Sequence, residues 1–598
     1  MKSYYNFLFI FFFCGALFLS LSNLSFAQNQ ALKKIKAPIS SKTNSKGAQS
    51  VNNLEKLVPQ LMKDGEVPGL SVALIRNGKV FWHRGFGVKN AETKEPVDDS
   101  TVFEAASLSK PVFAYAVLKL AEEGKLDLDA PLNKYLPAGS SYVENDARLN
   151  QITARRVLSH TTGFPNWRAG GKPLRIYFAP GEKFSYSGEG FVYLQKAVEH
   201  LVAMPLDDFM KKTVFEPLGM TSSSYVWQEK YESLKAYAHD ASGGVAERSK
   251  PQEANAAATL HTTAFDYAKF VAAILNRQGI KDATVREMLR PQIKVDDTCT
   301  VCFEQATAGK FSTSIVWGLG WGLENSPNGN SFWHWGDNGN VKSYVVADDK
   351  SKTGVVFFAN SAGGLSIAEE IVKQSGGGKQ PALAWLKYEP YNSPSKTFLR
   401  AVLSNGVKAT GDYRKRGKRM AAGETLDQAQ MNWVGYQLLG KKRFDEAIEI
   451  LKLNAETFPD SSNVYDSLGE AYLKSGEMQL SIKNYRKAVE LNPQNANAVN
   501  AVKQLESAQQ VKTDAKLLET YAGEYETPFG VFKVVKEGER LVGRVAGEAD
   551  MILLPQSDAH FVVALGSIRL TFVKDEKGVV THANISVKGQ EISAKKIR

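Results

Sequence analysis

Cysteine is nearly absent from this chain: 598 residues carry three. Cys14 lies in an apolar N-terminal run, and Cys299 and Cys302 sit in the tetrapeptide "CTVC". A disulfide-built scaffold is excluded on that count. A zinc site at the pair would lack two of its four ligands, so in an exported chain the pair reads as a small local disulfide. Long hydrophobic runs are also scarce. After the N-terminal run, which ends near residue 21, nothing approaches the ~20 apolar residues of a spanning helix, and no transmembrane segment is expected in the mature chain. Nucleic-acid motifs are missing as well. The net charge of +11 is scattered apart from "YRKRGKR" at 413–419, which implies a solvated basic surface and no nucleic-acid partner. No cofactor and no metal are expected.

What the chain has is length, and 598 residues exceed one core, so three or four domains are the natural division. At the N-terminus Lys2 precedes "FLFIFFFCGALFLSL" and then "SNLSFAQNQ". A charged start, a short apolar core and small residues at Ser25 and Ala27 form a secretory signal, residues 1–27, cut after Ala27. The mature protein would be periplasmic or secreted. Residues 28–51 are polar, basic and poor in large apolar groups, and are expected to be a flexible leader.

Between 52 and 375 strand and helix patterns mix. "LSVALIRNGKVFWHRGFG" (70–87) holds two strand-like runs around Asn77-Gly78, a hairpin signal, and "YVVADDKSKTGVVFFAN" (344–360) has the same form with a longer turn. Helical stretches at 111–123 and 190–202 lie between them. The fold class that follows is α+β, an antiparallel sheet packed with helices. A connector covers 376–430. From 431 to 510 features recur at 34 residues: Gly435 with Gly469, Phe444 with Met478, "FP" with "NP". A 34-residue helix–turn–helix unit resembles the tetratricopeptide repeat, here two units with a capping helix at 495–508, and it implies a protein partner. Residues 516–598 alternate, as in "SIRLTFV", and are expected to form a small antiparallel β domain.

The chemistry centres on "EAASLSKPVFAYAVLKL" (104–120). Apolar residues at 112, 113, 116, 117 and 120 give a helix with one buried face. Pro111 is tolerated in its first turn, where N–H groups lack intrahelical partners. Ser107 and Lys110, three apart, then share a face, so the amine can reach the hydroxyl. Alone, such a pair is a capping serine and a surface lysine. A serine nucleophile needs a base, and a lysine serves as one only if burial or neighbours lower its pKa from ~10.4. A proton relay on the facing wall and oxyanion donors complete such a site. Tyr186, on a loop in "GEKFSYSGEGFVYLQ", is the candidate relay, and "FWHWGDNGN" places His334 and Gly336 at the end of a strand-like run.

"VPGLSVALIRNGKV", Ser107-x-x-Lys110, "LSHTTGFPNW", Tyr186, "FEPLGMTSSSY" and His334-x-Gly336 occur in that order. Together they resemble the serine β-lactamase and penicillin-binding-protein superfamily, in its class C β-lactamase-like branch, over residues 52–375. The resemblance implies that Ser107 is acylated, Lys110 takes its proton and Tyr186 relays protons to the leaving group. His334, Gly336 and Asp337 would border the substrate, with the N–H groups of Ser107 and Asp337 as the oxyanion hole. A literal Lys352-Thr353-Gly354 further on reads instead as a hairpin tip.

Two departures bear on substrate. Gly188 stands where β-lactamases of this class carry the Asn of Tyr-x-Asn, and His334 stands where Lys often opens the third motif. Both favour an exported serine hydrolase acting on a small ester, amide or peptide. A class C-type β-lactamase or D,D-peptidase is the first alternative. A non-catalytic protein that binds cell-wall fragments and docks a partner through its repeats is the second.

Overall fold

The computed structural model describes residues 45–598 except 138, 140–141, 145, 169, 171, 241–242, 305–309, 327–328, 418–424, 512–513, 529, 546–549, 588–589 and 598. The expected signal at 1–27 lies outside the described residues. The chain forms two compact units, one ending at Asn392 and one comprising Ser393–Arg598.

In the first unit the strands are β1 (Gly69–Arg76), β2 (Lys79–Gly87), β3 (Phe103–Glu104), β4 (His261–Thr262), β5 (Ile293–Asp296), β6 (Phe311–Trp317), β7 (Gly322–Ser326), β8 (Gly329–Asp337), β9 (Lys342–Asp348) and β10 (Thr353–Ala359). β3 and β4 make a short ribbon, and the others form one antiparallel sheet in the order β2-β1-β10-β9-β8-β7-β6-β5. The β1–β2 turn uses Asn77 and Gly78 at φ 51° and 69°, the left-handed pair that a two-residue hairpin requires. In β1, β9 and β10 both faces are apolar, because helices cover the sheet on both sides. Leu70, Val72, Leu74, Tyr344, Val346 and Phe357 pack with helix α1 (Ser45–Asp64) and the helix Ala368–Gln374. Ala73, Ile75, Val345, Ala347, Val356 and Phe358 pack with helix α2 (Ser109–Glu122) and the helix Ala264–Asn276.

Three expectations change. α2 is buried nearly all round, not on one face; a helix enclosed by sheet and other helices has no solvent side. Of the expected leader 28–51, residues 28–44 lie outside the described residues and residues 45–51 are helical, because α1 starts at Ser45 and buries Leu54, Val58 and Leu61. Its polar first turns hide the apolar stripe that begins after them. The unit also continues past 375 to 392. Trp385 is buried and donates to Asp296 O at 2.7 Å, and Gln380 accepts from the Tyr344 hydroxyl at 3.0 Å.

In the second unit the stretch expected as connector contains a helix pair, Pro394–Asn405 and Val407–Gly417, whose Phe398 and Tyr413 pack 4.5 Å apart. The repeats follow as Gln428–Gly440 with Phe444–Thr457 and Ser462–Ser475 with Met478–Leu491, capped by Ala496–Gln510. The recurring glycine has a packing cause. A Cβ on Gly435 would lie 2.7 Å from Leu451, and one on Gly469 would lie 2.9 Å from Tyr485. Each lets its helix approach the partner closely. Among the described residues, eight strands from Gly523 to Lys596 close into an antiparallel barrel, the first pairing with the last through Tyr525 and Lys596. Gly469→Ala should destabilise this unit by about 1–3 kcal/mol through overpacking, read as a lower denaturation midpoint of the Ser393–Arg598 transition.

Candidate active site

The nucleophile candidate sits on a strained turn. Ala106 adopts φ 51°, a left-handed conformation that costs a non-glycine residue roughly 1–2 kcal/mol. The surroundings hold it there. Ser109 Oγ donates to Ala106 O at 2.6 Å, Ser343 Oγ donates to Ala105 O at 2.9 Å, and Ala105 N donates to Leu260 O at 2.8 Å. Ser107 follows in a single 3₁₀ turn, Ala106–Leu108, and caps neither that turn nor α2. Its half-buried hydroxyl is therefore left to Lys110, whose Nζ donates to it at 3.1 Å.

Lys110 is fully buried and its other contact is Ala257 O at 2.8 Å. Among the described residues it makes no ion pair. Burial alone pushes its pKa well below the ordinary lysine value, which is what a base on this residue requires.

Tyr186 precedes helix α4, which follows the five-residue helix α3 (Ala154–Leu158) and spans Gly188–Val202. Ser187 caps α4, accepting from Gly190 N at 3.0 Å and donating to Pro165 O at 2.7 Å. Lys110 Nζ lies 4.8 Å from the Tyr186 ring centre. The phenol is buried, which raises its pKa, while the neighbouring Ser107 hydroxyl pulls it down. No group meets the Tyr186 hydroxyl at regular hydrogen-bond geometry among the described residues. Catalytic hydrogen bonds are often loose before substrate arrives.

His334 and Gly336 are on β8. A Cβ at Gly336 would lie 2.1 Å from Ser343 Oγ and 2.3 Å from Ala105 O, so only glycine lets this strand lie against the nucleophile turn. His334 is fully buried; its Nδ1 is 2.8 Å from Trp335 O and its Nε2 has no partner among the described residues. Burial and the nearby Lys110 lower its pKa to about 3. Asp337 turns its carboxylate away to Gly339 N at 2.8 Å, to Lys342 and to the Tyr388 hydroxyl. Lys352, by contrast, is in the β9–β10 turn and donates to Leu275 O at 2.6 Å and Asp349 at 3.0 Å. Ser343 is at the nucleophile end of β9 and Asp348 at the turn end, about 17 Å away at ~3.3 Å per residue.

Three contributors escape the sequence reading, and a fourth, the expected disulfide, makes a contact that the sequence does not mark. His160 lies inside "LSHTTGFPNW". Its ring stacks on Tyr186 at 4.3 Å, its Nδ1 accepts from Ser187 N at 3.0 Å, and burial and Lys110 push its pKa far down. Trp167, in the same motif, lies on Gly188, whose Cβ would be 2.7 Å from the indole. Tyr388 falls beyond the expected domain end. The Cys299–Cys302 disulfide forms, and its loop supports the segment that carries Tyr186: Tyr186 N donates to Thr300 O at 3.0 Å and Cys302 N to Ser185 Oγ at 2.9 Å. Nothing near these positions in the sequence marked that contact.

The beta-lactamase family model matches residues 54–372, more than half of the chain, and the chain belongs to that family. Its second unit contains a tetratricopeptide repeat, matched over 462–495. Protein flp of Staphylococcus aureus (strain N315) is 22% identical over 331 residues, 52% of this chain and 63% of that protein. Penicillin-binding protein 4* of Bacillus subtilis (strain 168) is 30% identical over 174 residues, 26% of this chain and 37% of that protein. The chain thus spans less than two thirds of the length of either relative. The solved octameric penicillin-binding protein homologue from Pyrococcus abyssi is 18% identical, with a TM-score of 0.45 over 91% of this chain and all of that one. Among the described residues no helix is long and apolar enough to cross a membrane.

The neutral His334 has a thermodynamic consequence. The unfolded chain takes up a proton on this residue below pH ~6.5, whereas the folded chain resists until about pH 3. The unfolded state therefore binds more protons in that window, and stability falls as pH drops through it. His334→Asn should remove this contribution, reducing the stability lost between pH 7 and pH 5 by roughly 2 kcal/mol relative to the parent, measured by urea denaturation at both pH values.

Proposed function

We propose that this chain is an exported serine hydrolase that cleaves an ester or amide through an acyl-enzyme on Ser107. The observation that carries the reading is Lys110: a buried amine with no acidic partner among the described residues, 3.1 Å from the Ser107 hydroxyl. A neutral amine there takes the proton as Ser107 Oγ bonds to the carbonyl carbon. The oxyanion would be held by the N–H groups of Ser107 and Asp337. Tyr186 then passes a proton from Lys110 to the departing alkoxide or amine, and the C–O or C–N bond breaks. Water repeats the sequence, releasing the acid and restoring Ser107. His334 and Gly336 border the acyl group, and the repeats offer a surface for a protein partner. Export is supported by the charged start, apolar run and small residues ahead of Gln28.

The β-lactamase or D,D-peptidase alternative finds less support. No side-chain amide is available at Gly188, where the indole of Trp167 takes the space, and a histidine with pKa about 3 presents no positive charge to a substrate carboxylate.

Intact mass after exposure to a fluorophosphonate should show one adduct, lost in Ser107→Ala, with no stable penicillin adduct. Ser107→Ala should also abolish ester turnover while leaving the far-UV spectrum unchanged. A long-lived penicillin adduct would favour the penicillin-binding reading, and an unlabelled, inactive parent would favour the pure binding protein. Separately, His334→Ala should lower kcat/KM for an ester by roughly 10- to 1000-fold, whereas Lys352→Ala should stay within about twofold, a change below ~0.5 kcal/mol. The reverse pattern in steady-state kinetics would move the third motif to Lys352.

A further inference from the structure

An aromatic side chain left exposed on a loop tied down beside Ser107 calls for an explanation, and Trp167 is one. It is 48% exposed, although tryptophan is a highly buried residue on average. Its loop is pinned on both sides. Asn166 accepts from Gly188 N through Oδ1 at 3.0 Å and from Glu189 N through its carbonyl at 3.0 Å. Arg168 donates from its backbone and from Nε to Glu189 Oε1, each at 3.2 Å, and its guanidinium lies 4.0 Å from the Tyr142 ring centre. The indole rests on Gly188, where any Cβ would come within 2.7–2.9 Å of three ring atoms. Its ring centre is 6.0 Å from Lys110 Nζ, the amine bonded to Ser107.

On its open side the indole borders a cavity of about 590 Å³ shared with Tyr177, Phe303 and Lys172. Tyr177 is 43% exposed and meets Phe303 edge-on at 4.7 Å. The charges beside it cancel: Arg168 pairs with Glu189, Arg175 pairs with Glu144, and Lys172 and Glu304 add one charge of each sign. The wall therefore offers flat apolar surface held in place in advance, with little net charge to select by. Preorganised aromatic surface of this kind binds other flat rings through stacked and edge contacts.

We propose that Trp167 is a substrate-binding platform and that the substrate is an ester or amide bearing a planar aromatic ring close to the scissile bond. The proposal rests on the acyl-enzyme reading of Ser107, which it deepens. Gly188 is part of the device: it gives up a side chain that could bind the substrate's amide, and its bare Cα seats the indole.

The test compares benzyl acetate with cyclohexylmethyl acetate, and ethyl phenylacetate with ethyl cyclohexylacetate, following acid release. Each pair differs in flatness more than in apolar area. The parent should prefer the aromatic member of at least one pair by about fivefold or more in kcat/KM. Trp167→Ala should erase that preference, and Trp167→Phe should restore part of it. Gly188→Ala, which displaces the indole without removing it, should weaken the preference too. An equal loss on both members of each pair, or an unchanged ratio, would overturn the platform. Calorimetric titration of Ser107→Ala with the same esters separates the two ideas. If the parent turns over no ester but Ser107→Ala binds the aromatic member more tightly, and loses that with Trp167→Ala, the platform stands and the catalytic reading falls. If esters are hydrolysed with no preference in rate or binding, the platform falls and the catalytic reading stands.

Discussion

A lysine amine buried without a counter-charge is the constraint around which this site is arranged. An ammonium in such a place is heavily penalised, so burial holds the pKa of this side chain well below the ordinary lysine value. Lys110 is kept in position by two polar contacts, the Ser107 hydroxyl and Ala257 O. The rest of its surroundings are rings: Tyr186, Phe191 and Trp167 all lie within 4.8–6.0 Å. The same dry environment keeps His160 and His334 neutral, and the nearby Lys110 disfavours charge on both. The result is a cluster of proton acceptors and donors whose charged forms are all disfavoured by burial, the setting that the proposed proton transfer calls for.

Placing that amine needs three close approaches. α2 is enclosed on all sides, so Lys110 enters the interior at the helix start and not from a surface. β8 reaches the nucleophile turn only because Gly336 lacks a Cβ, and the turn accepts a left-handed alanine because Ser109, Ser343 and Leu260 tie its backbone down. The loop that carries Tyr186 is held from the other side by His160 and by the disulfide loop through Thr300 and Cys302. Elements distant in the chain thus fix a single hydroxyl–amine contact. Strain at Ala106 persists because its neighbours over-determine it.

Much of this was legible in the chain itself. Short-range rules sufficed for the Asn77-Gly78 hairpin, the Ser107–Lys110 spacing, the 34-residue repeat and the alternating C-terminal strands, since each depends on residues a few positions apart. Turn chemistry also separated Lys352 from His334, because the backbone of a polar hairpin tip is specified locally. Domain ends were less legible. Residues 376–392 lack a strong period of their own, and it is packing through residues such as Gln380, Trp385 and Tyr388 that attaches them to the sheet.

The sequence by itself determined which side chains could do acyl-transfer chemistry and the order in which they come. It also determined the classes of the three folded regions, because hydrophobic period and glycine placement are local properties of the chain. Tertiary structure alone decided which groups meet. Burial, which sets the protonation of Lys110, His160 and His334, is the sum of contacts from elements hundreds of residues apart. The exposure of Trp167 beside Gly188 was likewise decided there, since an indole and a missing Cβ twenty-one positions away become neighbours only when the loop folds onto the start of α4.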